Sequence, residues 1–479
     1  MSYSTMTLLG PDDDWAAHEL DGVFLHDKRL DKRAALILQT LFRQTTESIP
    51  TACHTAAEVK ATYNFFSNPK VSLPALLAPH FQATLQRVRR EPVVIAIGDI
   101  SELDYTGKQV AQDLGLIGDN HTRGLFLVPL LAITPERVPL GLVDVYSWLR
   151  QPSAFNAQQR KRQPLIEKET YCWLWEYQQA CQLAVDAPDT QIVYLTDRGG
   201  DLFEVYYEHF QRAERPHAEF VIRAVAHDRR LCATNAAGQE QCAHLFAELN
   251  KQPALAEISF TLPGTAAHPS RKVKQTVRAT TVMVAAPERP DHSVADTPFN
   301  VVLLTEMAPP AGEEPLEWML YTSLPVSTIE EVQRVIDIYL SRWDIELFFK
   351  ILKSGCRVEG LYLQTPDRLY NCLAFYLIIT WRVLYCTRLG RACPDIPCTA
   401  VFTEVEWKAL YLIEVGDELP DKPLTLQAMV HLVGRCGGFI GRKGDGEPGI
   451  TSMFVGLRRL YDYALAYQRF GPEVRRAFT

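Results

Sequence analysis

The chain has 479 residues, of which 47% are hydrophobic and 22% are charged, and its formal net charge at pH 7 is −8. This length predicts two or three domains with sizeable cores, and this composition is that of an ordinary soluble globular protein. The acidic balance excludes a surface coated with basic patches, so any contact with nucleic acid must come from confined basic segments.

The sequence carries no pattern for export or membrane insertion. Its N-terminus, MSYSTMTLLGPDDD, lacks a basic-then-apolar signal peptide, and no apolar run approaches the roughly 18 residues of a membrane span. The eleven cysteines are scattered, which favours reduced structural thiols over a metal site or disulfides. We therefore expect a cytoplasmic protein with no membrane partner.

Residues 1–75 are expected to form a small helical module. Residues 27–43 place apolar side chains at helical spacing and carry several cations in the first turns. Thr55-x-x-Glu58 is a capping-box pattern that begins a second helix, which Asn68-Pro69 ends. From charge alone, the module is either a DNA-binding domain or an N-terminal decoration.

Residues 76–390 alternate between apolar strands and helices. A helix over LPALLAPHFQATLQRV precedes the strands PVVIAIGDI, LFLVPLLAIT and LGLVDVYSWL; a long helix, the strand QIVYLTD, the helix GDLFEVYYEHFQRA and the strand AEFVIRAV follow. This order predicts an α/β chain with an RNase H-like core, in which carboxylates at neighbouring strand ends converge. Asp99 and Asp197 each end such a strand, although an aspartate there can also simply cap the next loop.

Two further segments complete the chain. Residues from about 226 to 325 contain short β-like runs with Pro-rich joints, which predict a mainly β insertion without a strong helix. Residues 391–479 read as helical, with a glycine-rich hinge at 437–449.

The stretch YLSRWDIELFFKILK, residues 339–353, is predicted to be one amphipathic helix with Tyr339, Arg342, Glu346 and Lys353 on a common face. The alternative is a solvated face with an Arg342–Glu346 pair worth a few tenths of a kcal/mol. The pattern Y-x2-R-x3-E-x6-K resembles the signature of the bacterial cut-and-paste DDE transposases of the insertion-sequence-four family.

The resemblance implies a catalytic triad of Asp99, Asp197 and Glu346, because IAIGDISELDY and YLTDRGGDLF align with the family's two aspartate segments. Asp104 and Asp201 are nearby decoys. The triad would bind two Mg²⁺ ions, with Mn²⁺ able to substitute, since hard cations require oxygen ligands and phosphoryl transfer uses two such ions.

The resemblance also implies DNA contacts. Tyr339, Arg342 and Lys353 would act near the cleaved end, and Arg223 matches a family contact, although Val225 replaces a nearby family lysine. Trp318 lies 21 residues before Tyr339, at the family's spacing for an aromatic that stacks on a flipped base; the alternative is a core tryptophan. EVKATYNFFSNPKVS resembles the family's end-binding domain, which makes candidates of the following residues: Arg29, Arg33, Lys60, Tyr63 and Asn64.

The resemblance therefore implies an end-binding domain at 1–75, a catalytic domain at 76–390 and a dimerisation domain at 391–479. A homodimer would pair two inverted-repeat ends in a synaptic complex, cleave double-stranded DNA through a hairpin and join 3′-OH ends to target DNA. The location would be the bacterial cytoplasm, in association with the nucleoid. Two alternatives stay open: an RNase H-like nuclease without integration, and a domesticated or inhibitory DNA-binding protein.

Overall fold

The computed structural model describes residues 15–45, 47–53, 55–118, 121–150, 159, 163–211, 215–225, 229–234, 240–262, 269–287, 295–416, 418–442 and 444–471. The chain divides into two compact units that each combine separate segments. Unit 1 comprises 1–91, 100–152 and 344–479, and unit 2 comprises 92–99 and 153–343. The three-domain division drawn from the sequence stays a prediction.

The α-helices of the described residues are α1 (Trp15–Glu19), α2 (Lys28–Arg43), α3 (Ile49–Ala52), α4 (Ala56–Phe66), α5 (Leu73–Val88), α6 (Tyr171–Asp186), α7 (Phe203–Gln211), α8 (Leu245–Lys251), α9 (Ile329–Leu340), α10 (Trp343–Lys350), α11 (Pro366–Ala392), α12 (Glu404–Glu414), α13 (Leu426–Cys436) and α14 (Ile450–Phe470). The strands are β1 (Val93–Gly98), β2 (Ser101–Asp104), β3 (Gly115–Ile117), β4 (Thr122–Ile133), β5 (Pro139–Trp148), β6 (Gln191–Thr196), β7 (Glu219–Arg223), β8 (Arg230–Thr234), β9 (Glu240–His244), β10 (Ala256–Leu262), β11 (Arg271–Val284), β12 (Thr297–Glu306) and β13 (Glu317–Thr322).

Unit 1 is organised around α11, a buried helix of 27 residues. The Trp381 indole on α11 donates a hydrogen bond of 2.9 Å to the carbonyl of Pro139 at the start of β5. By length and composition α11 is the one described helix that could cross a membrane, but 94% of its most apolar window is buried inside the protein. This burial is that of a core helix, as the sequence predicts.

The first helices of unit 1 begin where the sequence predicts. Asp27 caps α2 by accepting from the backbone N–H of Arg29, and Thr55 and Glu58 form the expected capping box of α4. Satisfied N-terminal N–H groups stabilise each helix by about 1 kcal/mol. The cysteine side chains that the structure describes form no disulfide, and the reduced state of the thiols stays a prediction.

A buried ionic cluster ties α1 to α5. Glu19 lies 2.5 Å from Nδ1 of His80 and 2.8 Å from a guanidinium nitrogen of Arg87, and only 1% of its side chain is exposed. Burial raises the pKa of Glu19, but the charge of Arg87 and the hydrogen bonds from His80 and Arg87 outweigh this effect and lower the pKa to about 2. The cluster therefore depends on an ionised Glu19.

The strands of unit 1 form an antiparallel arrangement in which β2, β3 and β5 all pair with β4. β4 is buried over most of its length, which explains its continuous apolar run. The sequence predicts β4 and β5 but not β2 and β3. Those two strands have only four and three residues, too few for a period-2 pattern to appear.

Unit 2 contains one continuous strand order, β1-β6-β7-β13-β12-β11-β8-β9, with β10 paired to β11. β1, β6 and β7 are parallel, whereas β7, β13, β12 and β11 pair antiparallel. The mainly antiparallel insertion is thus confirmed in its described residues, although it also contains α8, where no helix was predicted. The mixed α/β class is confirmed, and the RNase H-like core stays a prediction.

The stretch from Tyr339 to Lys353 is not one helix, so the prediction of a single continuous face is wrong. α9 ends at Leu340, where the Ser341 hydroxyl donates a hydrogen bond of 2.6 Å to the carbonyl of Ile338. α10 begins at Trp343, and residues 351–355 form a π-helical turn that includes Lys353. A serine that bonds the preceding turn offers the backbone an alternative to continuing the helix.

Candidate active site

Asp99 and Asp197 lie at equivalent positions on neighbouring strands of unit 2. β1 and β6 are parallel, their register pairs Ile97 with Leu195, and each aspartate stands two residues further along its own strand. Neighbouring strands are about 4.8 Å apart, so the two carboxylates project from the same edge of the sheet. The register thus places both residues at one edge of the sheet, and their role as metal ligands stays a prediction.

The loop-cap alternative for Asp197 is also realised in this structure. Its carboxylate accepts a hydrogen bond of 2.7 Å from the backbone N–H of Gly199 and thereby caps a short 3-10 turn. One carboxylate oxygen is used in this contact. Capping and metal binding are compatible, because an ionised carboxylate has about four lone-pair sites.

Arg342 contacts the first aspartate directly. Its Nη1 lies 3.0 Å from Oδ2 of Asp99, and only 17% and 13% of the two side chains are exposed. The joint between α9 and α10 places Arg342 there, since its backbone N–H bonds to the carbonyl of Tyr339 at 3.1 Å. A partly buried ion pair of this kind holds both side chains in a fixed orientation.

Three further candidates of unit 2, Arg223, Tyr339 and Trp318, form a cluster. Tyr339 connects this cluster to Arg342, which lies three residues further along the chain. Arg223 Nη1 donates to the Tyr339 hydroxyl at 3.4 Å, and the Tyr339 and Trp318 rings meet edge to face with their centroids 5.5 Å apart. Arg223 pairs with Leu320 across β7 and β13, so Arg223 and Trp318 face the same side of the sheet. Each of the three residues was a separate candidate from the sequence, and in the structure Tyr339 lies in contact with both of the others.

Trp318 is neither a core residue nor a fully exposed one. It is half-buried, whereas its strand neighbours Met319 and Leu320 are completely buried. Tyr339, against which it packs, is 6% exposed. The simple core interpretation of Trp318 therefore does not describe this side chain.

The Asp201 carboxylate is held by several partners within unit 2, and its exclusion from the triad stays a prediction. Its carboxylate accepts from the Tyr206 hydroxyl at 2.8 Å and from the Val225 backbone N–H at 2.7 Å, and it pairs with Arg229. These partners occupy the carboxylate from several directions.

In unit 1, Glu346 is a half-buried residue of α10 and Lys353 lies 4.0 Å from Glu359. Glu359 also accepts from the backbone N–H of Asp104 at 3.0 Å. Lys353 therefore has an acidic neighbour within its own unit. The roles of Glu346 and Lys353 stay predictions.

The N-terminal candidates lie on two helices of unit 1. Arg29 and Arg33 stand one turn apart on α2, and α4 carries Lys60, Tyr63 and Asn64 at positions that share a face. Lys60, Asn64 and Arg29 are exposed, whereas Arg33 and Tyr63 are half-buried. The Tyr63 ring is covered by the Arg368 guanidinium at 5.8 Å, which limits its access to a ligand.

The aspartate pair fits the chemistry of a magnesium ion. Mg²⁺ in phosphoryl-transfer sites is usually held by one or two carboxylates together with water and substrate phosphates. Burial, and to a smaller extent the charges of Asp99 and Asp197, raise the pKa of the nearby Glu176. Among the described residues, no group of three or more His, Cys, Asp or Glu side chains is arranged to hold a metal ion. A third carboxylate at the site stays a prediction.

Two family models match the ends of the chain. Residues 12–71 match a transposase DNA-binding domain, and residues 378–470 match a transposase dimerisation domain. These two segments are therefore similar to the DNA-binding and dimerisation domains of transposases, which supports DNA and a second copy of the chain as partners. The dimerisation model is that of the Tn5 transposase, so the chain is similar to Tn5-type transposases in particular. The resemblance is confirmed at this level; the insertion-sequence-four assignment stays a prediction.

A solved structure is also similar to this chain: the piggyBac transposase in a cryo-EM structure of its synaptic complex with hairpin DNA. The identity is 9% and the TM-score is 0.33. The match covers 69% of this chain and 54% of the piggyBac chain, so this chain spans about half the length of that relative. A likeness this weak supports no conclusion about fold or mechanism.

Sequence reasoning missed one residue beside the aspartates, Glu176 on α6. Its side chain is completely buried, and its Oε2 accepts a hydrogen bond of 2.7 Å from the Tyr194 hydroxyl. Burial raises the pKa of Glu176 well above its usual range. The available signal was weak: the small residue Gly98 ends β1 directly before Asp99, which leaves room for a neighbouring side chain.

Proposed function

We propose that the protein is a cut-and-paste DDE transposase of the insertion-sequence-four type, with Asp99, Asp197 and Glu346 as its catalytic triad. A homodimer binds two inverted-repeat ends, cleaves each through a hairpin intermediate and joins the 3′-OH ends to target DNA. The protein acts in the bacterial cytoplasm on nucleoid DNA.

The observation that carries this proposal is the pair of aspartates at equivalent ends of two parallel strands, with Arg342 held against Asp99. A pair of carboxylates beside an arginine suits phosphate chemistry, because the acids bind cations and the guanidinium binds phosphate oxygens. The transposase domains matched at 12–71 and 378–470 supply the DNA and dimer contacts that such a site requires.

Each residue of the candidate site has its own role in this proposal. Asp99 and Asp197, joined by Glu346, would hold two Mg²⁺ or Mn²⁺ ions, which supply activation of the attacking oxygen and stabilisation of the leaving oxygen. Arg342 orients Asp99 through their ion pair and places a positive charge beside the DNA backbone. Arg223 fixes the Tyr339 hydroxyl, and Tyr339 supports the Trp318 ring, on which a flipped base stacks. Lys353 contacts phosphates near the cleaved end.

The test is a joining assay with the full chain. A duplex that carries the inverted repeats flanking the reading frame is incubated with Mg²⁺ and a supercoiled target plasmid. The proposal expects nicked, hairpin and fully cut ends, followed by ends joined to the plasmid. Cleavage without joining would favour an RNase H-like nuclease, and binding without cleavage would favour an inhibitory DNA-binding protein.

Asp99→Asn and Asp104→Asn form a matched pair for this assay. Both variants remove a carboxylate from the segment 99–104. The Asp104 carboxylate accepts a turn hydrogen bond of 2.8 Å from the Thr106 backbone N–H. The asparagine oxygen can still accept that bond. Asp99→Asn should therefore abolish cleavage while Asp104→Asn leaves it unchanged.

A further inference from the structure

Helix α6 touches both strands that end in the candidate metal-binding aspartates. Its Glu176 carboxyl is pressed against Gly98, the residue before Asp99, so closely that a Cβ on Gly98 would overlap the carboxyl group. The same carboxyl accepts from the hydroxyl of Tyr194, which lies on β6 three residues before Asp197. One buried side chain thus spans β1 and β6.

A second side chain of α6 lies behind Asp197. Trp173 packs against Gly199, where a Cβ would overlap the indole, and Gly199 donates the backbone hydrogen bond that fixes the Asp197 carboxylate. Trp173 and Glu176 stand three residues apart and therefore project from the same face of the helix. That face supports both aspartates.

The carboxyl of Glu176 also reaches the first aspartate directly. The backbone N–H of Asp99 donates a hydrogen bond to this carboxyl, and the Tyr194 hydroxyl donates to its Oε2 at 2.7 Å. The buried carboxyl therefore contacts the backbone of one aspartate and the strand that carries the other.

We propose that Glu176 is a positioning residue for the metal site: together with Tyr194 and against Gly98, it sets the separation and direction of Asp99 and Asp197. The proposal rests on the proposed function, since it takes these two aspartates as the metal ligands. Residues that orient metal ligands from behind typically contribute 10- to 100-fold in metal affinity. Glu176 touches neither the DNA nor the reacting atoms.

The experiment measures Mn²⁺ binding to the full chain by the loss of the free Mn²⁺ signal in electron paramagnetic resonance. Tyr194→Phe and Glu176→Ala should weaken Mn²⁺ binding by roughly 10- to 100-fold. Glu176→Gln should stay within a few-fold of the wild type, because glutamine keeps the shape and an oxygen acceptor for the Tyr194 hydroxyl.

Tyr177→Phe is the matched control. Tyr177 is the next residue of α6, is completely buried, and its hydroxyl bonds to His209 at 2.9 Å and to the Ala218 carbonyl at 3.0 Å, away from the aspartates. Both tyrosine variants remove one buried hydroxyl, so melting curves should fall similarly. Only Tyr194→Phe should change Mn²⁺ affinity.

The outcomes separate this inference from the proposed function. Equal Mn²⁺ affinity in Tyr194→Phe, Glu176→Ala and wild type overturns the positioning role, as does a loss that Tyr177→Phe shares or a wild-type chain that binds no Mn²⁺. A wild type that binds Mn²⁺ with the expected variant pattern but never cleaves DNA supports the positioning role and overturns the transposase assignment.

Discussion

Replacing Trp318 separates a structural role of this side chain from a role in holding DNA. Trp318 is half-buried and packs edge to face against Tyr339 with the ring centroids 5.5 Å apart. Trp318→Ala removes that contact and the exposed part of the ring together. Trp318→Phe keeps a π-face of smaller area.

The structure sets the expected size of each effect. A fully buried tryptophan costs about 3–5 kcal/mol on truncation to alanine. Trp318 buries only part of its ring and makes an aromatic pair worth about 0.5–1.5 kcal/mol, so we expect a loss near 2 kcal/mol and a folded variant. Stacking on a flipped base contributes roughly 1–3 kcal/mol, which corresponds to roughly a 5- to 150-fold slower hairpin step.

The assay is a time course of nicked, hairpin and fully cut ends, with a melting curve for each variant. Trp318→Ala should nick the first strand at the wild-type rate and accumulate nicked ends, and Trp318→Phe should recover part of the hairpin. Tyr339→Phe keeps the ring contact with Trp318 and removes only the hydroxyl that Arg223 reaches at 3.4 Å, so it separates the contribution of the ring from that of the hydrogen bond. A folded Trp318→Ala that forms hairpins at the wild-type rate would refute the stacking role.

Three further expectations follow from single contacts. Asp201→Asn should lower the free energy of unfolding by about 3–5 kcal/mol, because it breaks the buried pair with Arg229. Asp197→Asn should abolish cleavage and leave thermal stability nearly unchanged, so equal melting shifts for the two variants would contradict this expectation. The pKa of Glu19 falls from 4.5 to about 2 on folding, so the unfolded chain binds more protons between these two pH values. The free energy of unfolding should therefore drop by about 3 kcal/mol as pH falls from 4.5 to 2, and it should drop less over the same range in Glu19→Gln. Leu465 and Phe470 on α14 are 41% and 56% exposed, and changing both to Glu should abolish paired-end complexes on native gels without reducing single-end binding.

The strand ends could be predicted because the chemistry is local. The apolar runs of β1 and β6 are buried on both faces, and the first charged residue after each run is an aspartate. The capping box of α4 was predictable for the same reason, since four residues contain the whole pattern.

The break between α9 and α10 could not be read from the sequence. Residues 339–353 contain neither Gly nor Pro, and helix propensity favours continuation. The break depends on the Ser341 hydroxyl and on the ion pair that holds Arg342 against Asp99, which is 243 residues away in the chain. Glu176 was missed for a similar reason, because its contacts with Gly98 and Tyr194 appear only after the strands and α6 pack together.

The most direct test of the triad is metal-dependent cleavage by Glu346→Gln. This change removes one carboxylate charge and keeps the side-chain shape, so binding of the transposon end should stay within a few-fold of the wild type. Glu330→Gln, at an exposed position in the first turn of α9, is the matched control and should cleave normally. We expect Glu346→Gln to produce no nicked ends with either Mg²⁺ or Mn²⁺, whereas substantial cleavage by this variant would contradict the assignment of Glu346 as the third carboxylate.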